Sequence, residues 1–166
     1  FLGDHYDPVH KRLVLSTENF HGNSVAAVGI AAHEAGHAIQ HARAYLPLHL
    51  RMAAVGITNF ASSIVTILPL VGLLTGFFAL PQFLWILALG WGVIMAFNLV
   101  TLPVEFDASR RAKALLTSAG VVTPQESHGV SKVLNAAAWT YVAAFLTSVA
   151  YLLFYLMPLL GQGDEG

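Results

Sequence analysis

His33 and His37 lie four residues apart with Glu34 beside the first, giving the pattern H-E-x-x-H. On an α-helix that spacing brings both imidazoles to one face, one turn apart. There they can share a single zinc ion at roughly 2.0–2.1 Å. A carboxylate next to the first ligand can take a proton from water activated by the metal, which is the chemistry this pattern carries in zinc hydrolases. The reading is His33 and His37 as metal ligands, Zn2+ as cofactor and Glu34 as general base. Without a metal, the same residues would be two surface histidines and a solvated glutamate.

A catalytic zinc usually has three protein ligands and one open position. His41 continues the four-residue series but stands about 12 Å along the helix axis from His33, too far for one ion. Glu105 is the better third ligand. It is the first charged residue after the uncharged run Met52–Val104, and two histidines with a glutamate form a known catalytic zinc set. The plainer alternative is a glutamate favoured by the dipole at a helix start. His5, His128 and Arg110 are open candidates for stabilising an oxyanion.

The elements that must hold these residues are mostly apolar. The 166 residues are 56% hydrophobic and only 10% charged, with a formal charge of −1, against about 25% charged in soluble domains. So few charges and so much apolar surface imply a bilayer as partner. The absence of a basic stripe argues against nucleic acid. With no cysteine there is no disulfide framework and no thiolate chemistry.

At about 20 residues per crossing, the run from Met52 to Val104 holds two spans, expected near Ala53–Ala79 and Phe83–Leu102 around a break at Leu80-Pro81-Gln82. A second uncharged run, Val133–Gly163, holds a third span near Ala138–Leu160. All eight Lys and Arg precede the first span or lie between the second and third. The positive-inside rule then puts H-E-A-G-H and the Glu105–Lys132 segment in the cytoplasm.

Lys11–Leu15 reads as a short strand after a turn at Asp7-Pro8. Asn23 or Ser24 caps the H-E-x-x-H helix, which ends before Pro47. Pro103 is expected to start a further helix that stops at Gly120, and Thr123-Pro124-Gln125-Glu126 is a capping box.

The fold class expected is an all-α polytopic membrane protein with a zincin-like H-E-x-x-H helix and a short β-strand. Residues 1–51 form a cytoplasmic segment with the strand and zinc helix, and 52–103 a transmembrane hairpin. Residues 104–133 form cytoplasmic helices carrying the third ligand, and 134–166 a transmembrane helix with a short tail. The sequence opens on Phe1, not Met, and reads as a fragment or processed form.

His33-Glu34-x-x-His37, a two-span hairpin, then Leu102-Pro103-Val104-Glu105-Phe106-Asp107-Ala108-Ser109-Arg110-Arg111-Ala112 resembles the YugP-type membrane zinc metallopeptidases. Asp4-His5-Tyr6-Asp7-Pro8 carries the likeness to the start of the chain. The resemblance implies peptide-bond hydrolysis, a polypeptide substrate and one more N-terminal transmembrane helix; membrane partner proteins are a further expectation. A more distant likeness, to HtpX-like membrane proteases, implies Glu105 as third ligand. Those proteases carry an aspartate four residues later, where this chain has Ser109, with Asp107 only two residues on. The partner of the zinc histidines thus stays open.

The expectation is a zinc metallopeptidase of a bacterial cell membrane, multi-pass, with its site on the cytoplasmic side. The rivals are a site-2-type intramembrane protease, which takes its third ligand from an aspartate in a later span, and a non-catalytic scaffold keeping a structural metal.

Overall fold

A computed structural model describes residues 3–76 and 81–161. In chain order the elements are β1 (His5–Asp7), β2 (Arg12–Val14), α1 (Thr17–His21), α2 (Val25–Ala42), α3 (Leu46–Thr75), α4 (Pro81–Ser118) and α5 (Pro124–Gly161). Among the described residues, α3, α4 and α5 are long and apolar enough to cross a membrane. The end of the first expected span, part of the Leu80-Pro81-Gln82 break and the tail with Asp164 and Glu165 lie outside the described residues.

The chain forms two compact units, Phe1–His49 with Thr101–Tyr141, and Leu50–Val100 with Val142–Gly166. In the first, β1 and β2 pair antiparallel with His5 opposite Val14, Tyr6 opposite Leu13 and Asp7 opposite Arg12. Asp7 closes the turn: its Oδ1 accepts from the amides of Val9 (3.0 Å) and His10 (3.1 Å). Lys11 takes the left-handed φ of 51° that the tight reversal needs. Both β1 and α1 precede the first helix expected from the sequence; at three and five residues they are too short for a periodic signal.

Ser24, not Asn23, caps α2, accepting from the Ala27 amide at 3.1 Å. Alanine-rich composition then favours helix at little entropic cost. The helix ends at Ala42, where Ala44 adopts φ 50° and Tyr45 donates its amide to the Gln40 carbonyl at 3.0 Å. The core of this unit gathers Ala32, Ala112, Leu116, Val130 and Leu134, with Val25, Val28 and Val122 packed on it. Burying each Val or Leu contributes roughly 1.5–3 kcal/mol.

Pro103 does not start a helix; α4 runs through it from Pro81 to Ser118. The ring removes one hydrogen bond, to the carbonyl four residues back, and the helix continues on either side of that gap. The helix does end as expected, with Gly120 at φ 64°. The capping box also forms: Glu126 Oε2 accepts from the Thr123 amide at 2.8 Å while Thr123 Oγ1 accepts from the Glu126 amide at 3.3 Å.

In the second unit the helices pack closely. A Cβ on Gly90 would meet Val65 Cγ1 at 2.6 Å. Asn98 Nδ2 donates to the Ala144 carbonyl and to Ser148 Oγ, both at 3.2 Å. Trp91 stacks on Tyr151 with ring centroids 4.3 Å apart. Phe60, Leu70 and Leu74 stand outward and exposed, as lipid-facing side chains do.

Candidate metal centre

His33, Glu34 and His37 all lie on α2, and Glu105 lies on α4 two residues beyond Pro103. What lets these helices meet closely is Gly36. A Cβ there would fall 2.5 Å from the Ala108 carbonyl oxygen, so the α2 backbone rests directly against the α4 backbone. The second variable position of H-E-x-x-H is therefore fixed by contact.

Across this crossing, His33 Nε2 stands 3.1 Å and His37 Nε2 3.7 Å from the same oxygen, Glu105 Oε2. One ligand atom from each residue lies within 4.8 Å of the others. Ligand atoms at 2.0–2.1 Å around a tetrahedral ion are separated by about 3.3 Å, and the two distances bracket that value. Two imidazoles with one carboxylate suit zinc, whereas calcium and magnesium prefer oxygen alone. The residues present thus fit a zinc ion.

The cluster is largely buried. Glu105 is 1% exposed, and His37 and Glu34 are both buried. Burial works against a charged His37 imidazole, but the hydrogen bond and charge of Glu105 outweigh it and raise its proton affinity. Burial also raises Glu34 above the usual carboxylate range, against the opposing pull of His37, His33 and the Tyr6 amide. That amide, on β1, donates to Glu34 Oε2 at 2.8 Å. The hairpin thereby holds the carboxylate beside the ligand cluster.

Both histidines are buttressed through their other ring nitrogen. His33 Nδ1 lies 3.2 Å from Ser109 Oγ, and His37 Nδ1 lies 3.0 Å from Gln40 Oε1. Gln40 Nε2 donates onward to the Val104 carbonyl (2.7 Å) and to Asp107 Oδ2 (2.9 Å). Arg110 and Arg111 both pair with Asp107. The partner of the histidines left open by the sequence is thus a different residue for each, Ser109 for one and Gln40 for the other. Gln40 was not singled out from the sequence. Its signal is the spacing of three from His37, which puts it on the same helix face one turn later.

His41 is not part of the cluster. Its Nδ1 lies 2.9 Å from the Tyr6 hydroxyl, and its ring packs edge-on against His49 at 5.6 Å. Of the candidate oxyanion donors, His5 Nδ1 lies 2.8 Å from the Gly3 carbonyl, Arg110 is engaged by Asp107, and His128 is exposed.

A helical chain with membrane-length helices and a two-histidine, one-glutamate cluster belongs to a recognisable class. The chain is a member of the family described as "Putative neutral zinc metallopeptidase", whose model matches residues 1–160. Among curated proteins it is 43% identical over 169 residues to "Putative membrane protease YugP" of Bacillus subtilis (strain 168), an alignment covering 99% of this chain and 72% of that relative. No solved structure matches the chain.

Proposed function

We propose that the chain is a zinc-dependent membrane metallopeptidase that hydrolyses peptide bonds of a polypeptide substrate, with Glu34 as general base. The observation that supports this best is the convergence of His33, His37 and Glu105 within 4.8 Å, with Glu34 adjoining the first ligand. His33, His37 and Glu105 would hold the ion. When bound, zinc supplies Lewis acidity toward a peptide carbonyl and lowers the pKa of water.

Glu34 accepts the proton of the attacking water and delivers it to the leaving amine. The Tyr6 amide occupies one of its oxygens, leaving the other as acceptor and holding the carboxylate in one orientation. Burial of the cluster keeps bulk water away and strengthens its electrostatics. The chain lies in the bilayer with the H-E-A-G-H helix and the Glu105–Lys132 segment on the cytoplasmic side. Residues 1–51 and 104–133 act together as the catalytic portion, and 52–103 and 134–166 as the membrane portion.

The test is Glu34→Gln, which keeps the side chain's shape and cannot take a proton. It should keep zinc and fold while losing hydrolysis of an unfolded-polypeptide pool by about 10²–10⁴-fold, with a chelator and metal add-back as controls. Equal cleavage by both proteins would overturn the mechanism. Zinc binding with no Glu34-dependent hydrolysis would favour a structural metal.

A further inference from the structure

We infer that Gln40 is a positioning residue that fixes which nitrogen of His37 faces the metal and locks the two ligand-bearing helices in register. This rests on the reading of His33, His37 and Glu105 as the ligand set. Gln40 is fully buried at 0% exposure, so each of its polar groups must find a partner inside the protein.

Its orientation has one solution. The amide nitrogen faces the Val104 carbonyl at 2.7 Å and Asp107 Oδ2 at 2.9 Å. A carbonyl can only accept, and a carboxylate paired with two arginines is ionised and can only accept. Both amide hydrogens are therefore spent there. Turning the amide over would set its oxygen against two acceptors and leave its NH2 facing His37.

With the nitrogen so placed, Oε1 is what faces His37 Nδ1 at 3.0 Å. Because that oxygen only accepts, Nδ1 must carry the proton. The lone pair then belongs to Nε2, the atom 3.7 Å from Glu105 Oε2. A main-chain carbonyl on α4 thus dictates, through one amide, the tautomer of a histidine on α2. The same carbonyl belongs to Val104, immediately before Glu105, so the amide also sets the height of the third ligand against the second.

The usual partner of a metal-binding histidine is a carboxylate, a carbonyl or water. Here the carboxylate, Asp107, is held one amide away and is neutralised by Arg110 and Arg111. The guanidinium of Arg111 in turn lies 5.7 Å from the Tyr45 ring centroid. His37 is buttressed by a neutral group, so the metal would feel no second negative charge from that side.

The experiment uses the full chain in detergent, with Gln40→Met, of similar length and without hydrogen bonds, and Gln40→Glu, which keeps an acceptor for His37 but loses both donors. Zinc affinity by chelator competition should fall about 10–100-fold in both. The visible spectrum of the cobalt(II) form should shift in both, a change that loss of fold stability alone would not produce. In wild type labelled with nitrogen-15 histidine and loaded with cadmium-113, the metal coupling should fall on His37 Nε2 and the proton on Nδ1. Coupling on Nδ1 overturns the inference, and this measurement needs no variant to fold. Wild-type affinity and an unchanged cobalt spectrum in Gln40→Met also overturn it while leaving the ligand set standing. Failure of wild type to bind zinc or cobalt at all would overturn the ligand set itself.

Discussion

Replacing Gly36 by alanine should damage the metal centre without touching a ligand. An added Cβ would lie 2.5 Å from the Ala108 carbonyl oxygen, 3.0 Å from its carbon and 3.1 Å from its Cα. A relaxed carbon–oxygen contact is about 3.3–3.6 Å, so the helices must part by roughly 0.8–1.1 Å. The atoms opposite are backbone, and no rotamer change can absorb the shift. Overpacking of this kind costs about 1–3 kcal/mol, offset by up to about 1 kcal/mol from replacing a mid-helix glycine. Metal-free stability should therefore fall by about 0–3 kcal/mol. The ligand cluster suffers more, because His33 Nε2 and Glu105 Oε2 begin 3.1 Å apart across that crossing. Disturbing the groups that orient metal ligands typically costs about 10–100-fold in metal affinity, and zinc affinity should drop on that order. Gly29, on the same helix, is the internal control: its Cβ would meet only Val130 Cγ1 at 3.6 Å, an ordinary contact. Gly29→Ala should bind zinc as wild type does and melt at the same or a slightly higher temperature. Chelator competition and thermal unfolding on the pair decide the matter. Gly36→Ala with undiminished zinc affinity would refute the close-contact reasoning.

Elemental analysis of purified protein should give about one zinc per chain, lost on His33→Ala, His37→Ala or Glu105→Ala; full occupancy in Glu105→Ala would remove that residue from the ligand set. Single cysteines at the exposed positions Ala42 and Gln125, in a chain with none of its own, should resist a membrane-impermeant thiol reagent in intact cells and react after lysis. Labelling of both from outside would reverse the orientation. The Asp7 carboxyl is lowered from its ordinary 3.8 to about 2 by the amide and side chain of His10 and the amide of Val9. Its stabilisation of the turn is then present above pH 3.8 and is lost as pH falls through about 2, and a carbon-13 titration midpoint near 3.8 would refute the bonding.

The three residues that converge were legible in the sequence because their signals are local or extreme. H-E-x-x-H is a fixed spacing on a helix, and Glu105 stands out against the 53 uncharged residues from Met52 to Val104. The spans were legible in number but short in extent, since hydropathy stops at the first charge while the helices continue past it, α3 back to Leu46, α4 on to Ser118 and α5 back to Pro124. The Pro103 boundary was misread because proline weakens a helix by one hydrogen bond without obliging it to end. Gly36 carries no signal of its own, and Gln40 only its spacing from His37. Their roles come from α4 residues more than 60 positions away, Val104, Asp107 and Ala108, and a helix pattern says nothing of what crosses it.

The hydrogen bond that holds Glu34 comes from the main chain of Tyr6 and not from its side chain. Ordinary substitution scanning would pass over it: phenylalanine at position 6 keeps the amide and loses the contact of the hydroxyl with His41, and alanine keeps the amide while losing the ring packing as well. Only proline, or an ester in place of the peptide bond, deletes the donor itself. The orientation of the Glu34 carboxylate is thus insulated from drift in residue type along the hairpin. It is exposed instead to changes in strand length, because inserting or deleting one residue in β1 would present a different backbone group to the carboxylate.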